Sequence, residues 1–135
     1  MKRLKKVSLL LMAAMLLMLS AFTAYASVSR WSYLSKLEAY MEVNNMGLAD
    51  ISVNCYSDAT QVNKVTLKCE LQQFDGAWKT IKTWKETEND SFIIYDKSYS
   101  IAKNYSYRLK LTAYAYKDSK LLETVTENFD QGYYK

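Results

Sequence analysis

The sequence predicts an all-β protein, a sandwich of seven antiparallel strands that follows an N-terminal signal helix. From about residue 33 onward, β-branched and aromatic residues alternate with polar ones. Short clusters of Asn, Asp, Gly and Ser interrupt this alternation, and the chain contains no Pro. Two-residue alternation is typical of strands with one buried face, and turn signals roughly every ten residues are typical of sandwiches.

The first 26 residues have the three parts of a secretory signal peptide. A basic start precedes the apolar run VSLLLMAAMLLML, and Ala24-Tyr25-Ala26 supplies small residues for cleavage between Ala26 and Ser27. We therefore predict a secreted, extracellular protein with one mature domain over 27–135. An uncleaved membrane anchor is the alternative, because Val7 to Ala26 approaches the ~20 residues that span a bilayer. No second apolar run follows, so cleavage leaves no stable membrane anchor.

The charge balance changes once this leader is removed. The whole chain has 18 Lys and Arg against 14 Asp and Glu, a formal net charge of +4. Four basic residues lie in the leader, so the predicted mature chain has 14 of each and no net charge. Proteins that bind nucleic acid or anionic lipid keep a positive balance. The sequence therefore predicts no nucleic-acid partner.

Seven segments carry the strand pattern, and each break between them contains turn-forming residues. The predicted strands are 33–43, 49–58, 64–74, 78–87, 91–98, 104–117 and 120–129. The breaks are NNMG, DATQVN, DG, END, SIAK and DS.

The first strand is ambiguous. In WSYLSKLEAYMEV, Leu34, Leu37 and Met41 stand at helical spacing. A strand also fits, because Leu37, Ala39, Met41 and Val43 alternate with polar residues. We favour the strand, and a helix of about nine to twelve residues that ends at NNMG is the alternative.

The second and third strands are predicted to form a hairpin over TQVNK. This register places Cys55 opposite Cys69 and Val53 opposite Leu71, all on one face, and a slip of one residue would oppose apolar to polar side chains. Two opposed cysteines in an exported chain predict a structural disulfide. Two buried free thiols are the alternative.

The fourth strand is predicted to contain a bulge. Asp75-Gly76 is a strong two-residue turn signal. Such a turn places Trp78 and Trp84 toward the core but turns Ile81 outward. We expect a bulge between the two tryptophans, which returns Ile81 to the interior.

The sixth strand, NYSYRLKLTAYAY, has one set of side chains for the core and one for solvent or a partner. Tyr105 or Tyr107, at its start, has the place of a tyrosine corner, whose hydroxyl bonds to the preceding loop. The core set is Tyr105, Tyr107, Leu109, Leu111, Ala113 and Ala115, and the outer set is Ser106, Arg108, Lys110, Thr112, Tyr114 and Tyr116.

The last hairpin is predicted to turn on Asp118-Ser119. With a two-residue turn, Lys110 opposes Glu127 and Tyr114 opposes Glu123 on the outer face. A directly opposed Lys–Glu pair contributes a few tenths of a kcal/mol to ~1 kcal/mol, so it mainly marks the register.

Catalytic chemistry has little support in this sequence. The chain has no His, so neither a Ser-His-Asp nor a Cys-His arrangement exists, and its three glycines form no phosphate loop. The acidic loop KETENDS lacks the ligand spacing and Gly of a calcium loop. We therefore predict no enzyme, no catalytic residue, no cofactor and no metal site.

The candidate ligand-binding residues are Tyr114, Tyr116 and Arg108 on the outer face of the sixth strand. Tyr gives a broad contact area with a polar tip and little rotamer entropy, which suits interfaces and sugar stacking. Exposed Tyr is also common on sheets through strand propensity alone. The three tryptophans are predicted to serve in packing: Trp31, Trp78 and Trp84.

Three stretches, CELQQFDGAWKTIKTW, KSYSIAKNYSYRLKLTAYAY and LLETVTENF, resemble a group of small secreted proteins of Gram-positive bacteria, especially clostridia. The resemblance runs from about Arg30 to Phe129. It is most specific at Leu71-Gln72 with Trp78, Ile81 and Trp84, and in YSYRLKLTAY with the following ETVT. It implies a signal peptide and one immunoglobulin/fibronectin III-like sandwich. It implies no activity.

Two functions fit these features. The first is a secreted, non-catalytic interaction module that binds an extracellular protein, as a monomer. The alternative is a small carbohydrate-binding module that stacks a glycan on Tyr114 and Tyr116. Because single-domain sandwiches have many unrelated functions, the fold alone does not choose between them.

Overall fold

Two antiparallel β-sheets make up residues 31–135, the part of the chain that the computed structural model describes. The strands are β1 (Leu34–Val43), β2 (Leu48–Ser57), β3 (Lys64–Phe74), β4 (Trp78–Glu88), β5 (Phe92–Ser100), β6 (Tyr105–Lys117) and β7 (Lys120–Tyr134). One sheet has the order β1-β2-β5 and the other has the order β4-β3-β6-β7. The predicted signal peptide and its cleavage between Ala26 and Ser27 lie outside the described residues.

The all-β prediction is confirmed, and each predicted strand is present. The ambiguous first segment is a strand, paired with β2 along its length. β7 continues to Tyr134, beyond the predicted end at residue 129. It does so because the pairing with β6 shifts between Tyr107 and Arg108, and Gly132, with a φ of 80°, allows the strand to bend and continue.

The predicted hairpin of the second and third strands is wrong. β2 pairs with β1 and β5, and β3 pairs with β4 and β6, so the two strands belong to different sheets. Cys55 lies between Leu37 and Ile93 in one sheet, and its predicted disulfide with Cys69 is also wrong, because both cysteines are free and buried. The inward orientation of the two cysteines was predicted correctly. The inward or outward orientation of a side chain follows from the alternation, but the alternation does not determine which strand lies next to it.

The loop between β2 and β3 explains the change of sheet. Asp58 organises it, because its carboxylate accepts hydrogen bonds from Thr60 N at 2.9 Å and from Gln61 Nε2 at 2.9 Å. The loop also buries Val62, which is 1% exposed. Asn63 N then donates to Tyr116 O at 3.0 Å, which directs the chain into the second sheet beside β6.

The core lies between the inner faces of the two sheets, and residues 31–135 form one compact unit. Side chains from β1, β2 and β5 contribute one layer, and side chains from β3 and β6 contribute most of the other. The largest fully buried side chains are Tyr107, Leu34, Ile51, Leu67, Leu71, Ile93, Leu109 and Leu111. β6 has a neighbouring strand on each side, and its inward residues from Tyr107 to Ala115 are all buried.

The tyrosine corner is confirmed, and Tyr107 is the residue that forms it. Its side chain is fully buried, and its hydroxyl donates to Ala102 O at 2.6 Å in the loop before β6. The same hydroxyl accepts from Gln73 Nε2 at 2.9 Å. The hydroxyl therefore joins β3, β6 and the preceding loop at one end of the core.

The predicted bulge in β4 is confirmed. The register of β3 with β4 shifts between Leu71 and Gln72, which leaves Ile81 as the extra residue, packed against the core. The β3–β4 connection, however, has three residues, because Phe74 pairs with Trp78. Paired residues face the same side, so Trp78 points outward with Phe74 and its predicted inward orientation is wrong.

The last hairpin turns on Asp118-Ser119 as predicted, but its predicted cross-strand pairs are wrong. A bulge between Ala115 and Tyr116 moves the register by one residue. Lys110 therefore opposes Asn128, and Tyr114 opposes Thr124. This bulge also places Glu123 beside Ala115, on the side that faces β1.

Candidate functional site

One end of the outer face of the four-stranded sheet carries a group of side chains that we call the aromatic–arginine cluster. Its members are Phe74, Trp78, Arg108 and Tyr133. Cross-strand pairing builds it: Trp78 of β4 opposes Phe74, Phe74 opposes Ser106, and Ser106 opposes Tyr133 of β7. The four strands thus place three rings in one row across the sheet.

Arg108 is the next outward-facing residue of β6 after Ser106, and its guanidinium contacts this row. Its guanidinium carbon lies 4.4 Å from the centroid of the Trp78 ring, and the Trp78 and Phe74 centroids are 5.2 Å apart. Arg108 Nε donates to Gln72 Oε1 at 2.7 Å, and Gln72 Nε2 donates to Thr80 Oγ1 at 3.0 Å. Gln72 is only 6% exposed under these groups. The buried amide therefore fixes the guanidinium against the indole.

The cluster contains a gap. Ser106 is small and stands between Phe74 and Tyr133, two strands apart, so those two backbones are about 10 Å from each other. Phe74 is 43% exposed and Tyr133 is 56% exposed. The small side chain of Ser106 thus leaves a gap between two exposed rings, one row from Arg108.

The predicted ligand-binding residues do not form one site. Tyr114, Tyr116 and Arg108 share the outer face of β6, but six residues separate Arg108 from Tyr114, about 20 Å along the strand. Lys64 Nζ lies 4.5 Å from the Tyr116 ring centroid, and Lys85 Nζ lies 5.8 Å from that of Tyr114. A sugar stacked on either tyrosine would have to share or displace that ammonium.

Sequence reasoning missed Phe74, Trp78 and Tyr133 as surface residues. The Asp75-Gly76 signal favoured a two-residue turn, which would have turned Trp78 inward. Tyr133 fell after the predicted end of the last strand. The Phe74–Trp78 spacing was the available signal, because a three-residue loop brings residues i and i+4 opposite each other.

The outer face of the four-stranded sheet is basic, and we call it the basic face. Alternation and pairing place five cations there against two carboxylates, Glu70 and Asp130. Lys68 contacts Glu70 at 3.3 Å. Threonine hydroxyls lie among the charges, for example in the Thr66–Thr87 pair at 2.8 Å. The cations are Lys64, Lys68, Lys85, Arg108 and Lys110.

The outer face of the three-stranded sheet has the opposite sign, and we call it the acidic face. It carries four carboxylates and one cation, Lys36, which contacts Glu38 at 3.0 Å. That contact raises the pKa of Lys36 and lowers the pKa of Glu38. The carboxylates are Glu38, Glu42, Asp50 and Asp96.

Reactive side chains within residues 31–135 are few. Burial raises the thiol pKa of Cys55 to about 12 and that of Cys69 to about 12, so neither is a thiolate at neutral pH. Burial also raises the pKa of Tyr95, whose hydroxyl donates to Leu67 O at 3.0 Å. Within the described range, no group of three or more His, Cys, Asp or Glu could hold a metal ion.

A scan against protein-family models finds no match for this chain, and a search of curated proteins finds none. The strands and loops of 31–135 contain no helix with the length and apolar character to cross a membrane.

Proposed function

We propose that this chain is a secreted, non-catalytic interaction module that binds a protein partner through the aromatic–arginine cluster. The observation that carries the proposal is the Arg108–Trp78 stack, held in place by Gln72, on a face that no other strand of residues 31–135 covers. Trp, Tyr and Arg dominate the binding energy of protein interfaces. A guanidinium already fixed against an indole loses little conformational entropy when it binds.

The finer fold we propose is an immunoglobulin/fibronectin III-like sandwich. The two sheets share one core, and Tyr107 forms a tyrosine corner at the start of the sixth strand. Immunoglobulin constant domains place the fourth strand beside the fifth, whereas β4 lies beside β3 here. That difference favours the fibronectin III-like variant. Secretion rests on the N-terminal leader, and membership of the Gram-positive group rests on the sequence motifs.

The carbohydrate-binding alternative is less well supported by the geometry. Stacking modules expose unobstructed ring faces, whereas a lysine lies over Tyr114 and another over Tyr116. The rings of the aromatic–arginine cluster also contact each other at tilted angles, with 60° between Phe74 and Trp78. Protein side chains fit such an uneven surface better than a flat sugar ring does.

Site-specific photo-cross-linking tests the proposal. Ser106, in the gap of the cluster, is replaced by the photo-reactive amino acid p-benzoylphenylalanine, and the protein is irradiated in the cells and medium of its producer. We expect a protein adduct of discrete mass that is lost when Trp78→Ala or Arg108→Ala is added. The matched control carries the same amino acid at Ser119, in the β6–β7 turn, and should give no such adduct.

The outcomes separate the two functions. An adduct that contains protein and depends on Trp78 supports the proposal. No adduct at Ser106, together with a glycan-array signal that disappears in Tyr114→Ala, would replace the proposal with the carbohydrate-binding function.

A further inference from the structure

We infer that the partner of the basic face is the acidic face of a second copy of this chain, so that the protein associates head to tail. This inference rests on the proposed function, because it names the partner of the same surface. Its basis is a segregation of charge that the sequence composition hides. The predicted mature chain has no net charge, yet its two outer faces carry opposite charges.

The charge on each face is unbalanced. The basic face has five cations against two carboxylates, a surplus of three positive charges. The acidic face has four carboxylates against Lys36, a surplus of three negative charges. Opposite potentials on two surfaces attract them and orient their encounter. A protein with no net charge also lacks the overall repulsion that keeps copies apart.

The two faces also share a spatial pattern. On the acidic face, Tyr56 and Phe92 stack at one end with ring centroids 5.9 Å apart, and Asp50 stands six residues from Tyr56 on the same strand. On the basic face, Phe74 stands at one end, and Lys68 is six residues from it on β3. Six strand residues span about 20 Å in both cases. Superposing the aromatic ends therefore places carboxylates over ammonium groups.

The rows between those ends carry mixed charge on the basic face. Glu38 and Asp96 lie two and four strand positions from the aromatic end of the acidic face, by their pairing with Asn54 and Ser52 of β2. The corresponding rows of the basic face hold Arg108 opposite Asp130 and Lys110 opposite Glu70. These inner rows are therefore close to balanced, and the row that sets Asp50 over Lys68 carries the attraction.

A depression lies on the acidic face, at the end away from Tyr56 and Phe92, and it provides a site for a lysine ammonium group. Tyr40, Glu42, Asp50 and Ser52 line it, and its volume is about 310 Å³. Glu42 and Asp50 oppose each other across β1 and β2, so two carboxylates flank the same space. An ammonium group on a flexible stem, such as that of Lys68 or Lys85, fits this arrangement.

The size of the faces predicts a weak complex. Three strands about 4.8 Å apart and about nine residues long give the acidic face a footprint of roughly 14 by 30 Å. This footprint is at the small end of specific interfaces. Because the two faces lie on opposite sides of the fold, one contact leaves a free face on each copy, and association propagates instead of closing. This departs from the monomer expected from the sequence, because the sequence alone does not show which strands, and so which charges, share a sheet.

Sedimentation velocity and a charge-swap mixture test the inference. The protein from Ser27 onward should associate reversibly at about 0.01 M salt and be monomeric at about 1 M, where the Debye length falls from about 30 Å to about 3 Å. K68E/K85E and E42K/D50K should each weaken association about tenfold or more. Mixing these two variants should restore it, because each then supplies the face that the other lacks. The control, K117E/K120E in the β6–β7 turn, makes the same change of charge away from both faces.

Several results would overturn the inference: a monomer at low salt, association that high salt leaves unchanged, or a mixture that stays dissociated. Far-UV circular dichroism of each variant checks that it is folded. Restored association in the mixture also requires two folded variants, because a misfolded protein would not supply the complementary face. The Ser106 cross-link separates this inference from the proposed function. A homodimer adduct supports both, an adduct with a different protein overturns only the self-association, and no adduct overturns both.

Discussion

Among single residues, Glu123 links the two sheets through its carboxylate. The two oxygens accept backbone N–H groups of Ser32 at 2.8 Å, Tyr33 at 2.9 Å and Leu34 at 2.9 Å. β1 thus begins on a side chain of β7, which belongs to the other sheet. Partial burial alone would raise the pKa of Glu123, but the three donors outweigh it and hold the pKa below its ordinary value.

Replacing this carboxylate should destabilise the protein in a pH-dependent way. We expect Glu123→Gln to lower the free energy of unfolding by about 1 to 3 kcal/mol at pH 7, because charge-assisted hydrogen bonds are lost. Since the folded-state pKa is depressed, the contribution is complete above the unfolded pKa of about 4.3 and disappears as pH falls through the folded pKa. Urea unfolding from pH 7 to pH 3 measures this. Glu88→Gln, at an exposed position of β4, should show no comparable loss, and equal losses in both variants would contradict the role of Glu123.

The hydroxyl of Tyr107 should contribute to stability. Tyr107→Phe removes the 2.6 Å bond to Ala102 and leaves that carbonyl without this donor. We expect a loss of about 1 to 2 kcal/mol in chemical denaturation. Tyr133→Phe is the matched control, because its exposed hydroxyl makes only a 3.5 Å contact with Asn104. A stability of Tyr107→Phe equal to that of the control would contradict the structural corner.

The cysteines should behave as free but protected thiols. Neither Cys55 nor Cys69 should react with iodoacetamide in the native state at pH 7, because both are buried and both thiol pKa values are raised to about 12. In denaturant without reductant, intact mass should show two labels. No labels under those conditions would demonstrate the disulfide that the sequence predicted and the structure lacks.

At the scale of elements, connection geometry decides which face a side chain takes. Both central residues of the β6–β7 turn have positive φ, 47° at Asp118 and 68° at Ser119, which defines a type I′ turn. The side chain of Asp118 also pairs with Asn63, whose Nδ2 donates to it at 2.9 Å. This hydrogen bond stabilises Asp118 in its left-handed conformation. The structure shows no side-chain hydrogen bond that does the same for Ser119 among residues 31–135.

Ser119→Gly should therefore stabilise the protein. Glycine adopts positive φ without the steric cost of a Cβ atom, so we expect a gain of about 0.5 to 1 kcal/mol in the free energy of unfolding. Thermal and urea denaturation measure it. Ser98→Gly, within strand β5, should instead lower stability, because glycine there loses strand propensity and the 2.6 Å bond to Asp50. A loss at both positions would contradict the turn assignment.

For the whole molecule, the arrangement of charge matters more than its sum. The formal charge of zero expected after leader removal suggests a weakly interacting surface, yet positive and negative charges separate onto the two outer faces. A neutral protein with this distribution presents a cationic surface to one partner and an anionic surface to another. Composition averages over both faces and so conceals the distribution.

This distribution predicts retention on both ion exchangers. At pH 7 and low salt, the protein from Ser27 onward should bind a cation exchanger through the basic face and an anion exchanger through the acidic face. K68E/K85E should elute much earlier from the cation exchanger, whereas K117E/K120E, with the same net charge, should elute later than that variant. Identical elution of the two variants would show that net charge alone governs retention.

The sequence by itself determined six of the seven strands, most of their inward and outward sets, the place of the tyrosine corner at the start of β6 and the β4 bulge. These follow from local alternation and turn chemistry, which act over a few residues. Tertiary structure alone decided which strands are neighbours, and so it separated Cys55 from Cys69, turned Trp78 outward and assembled Phe74, Arg108 and Tyr133. The physical reason is that a single extra loop residue, or a loop that crosses between sheets, reassigns every contact beyond it while leaving the alternation unchanged.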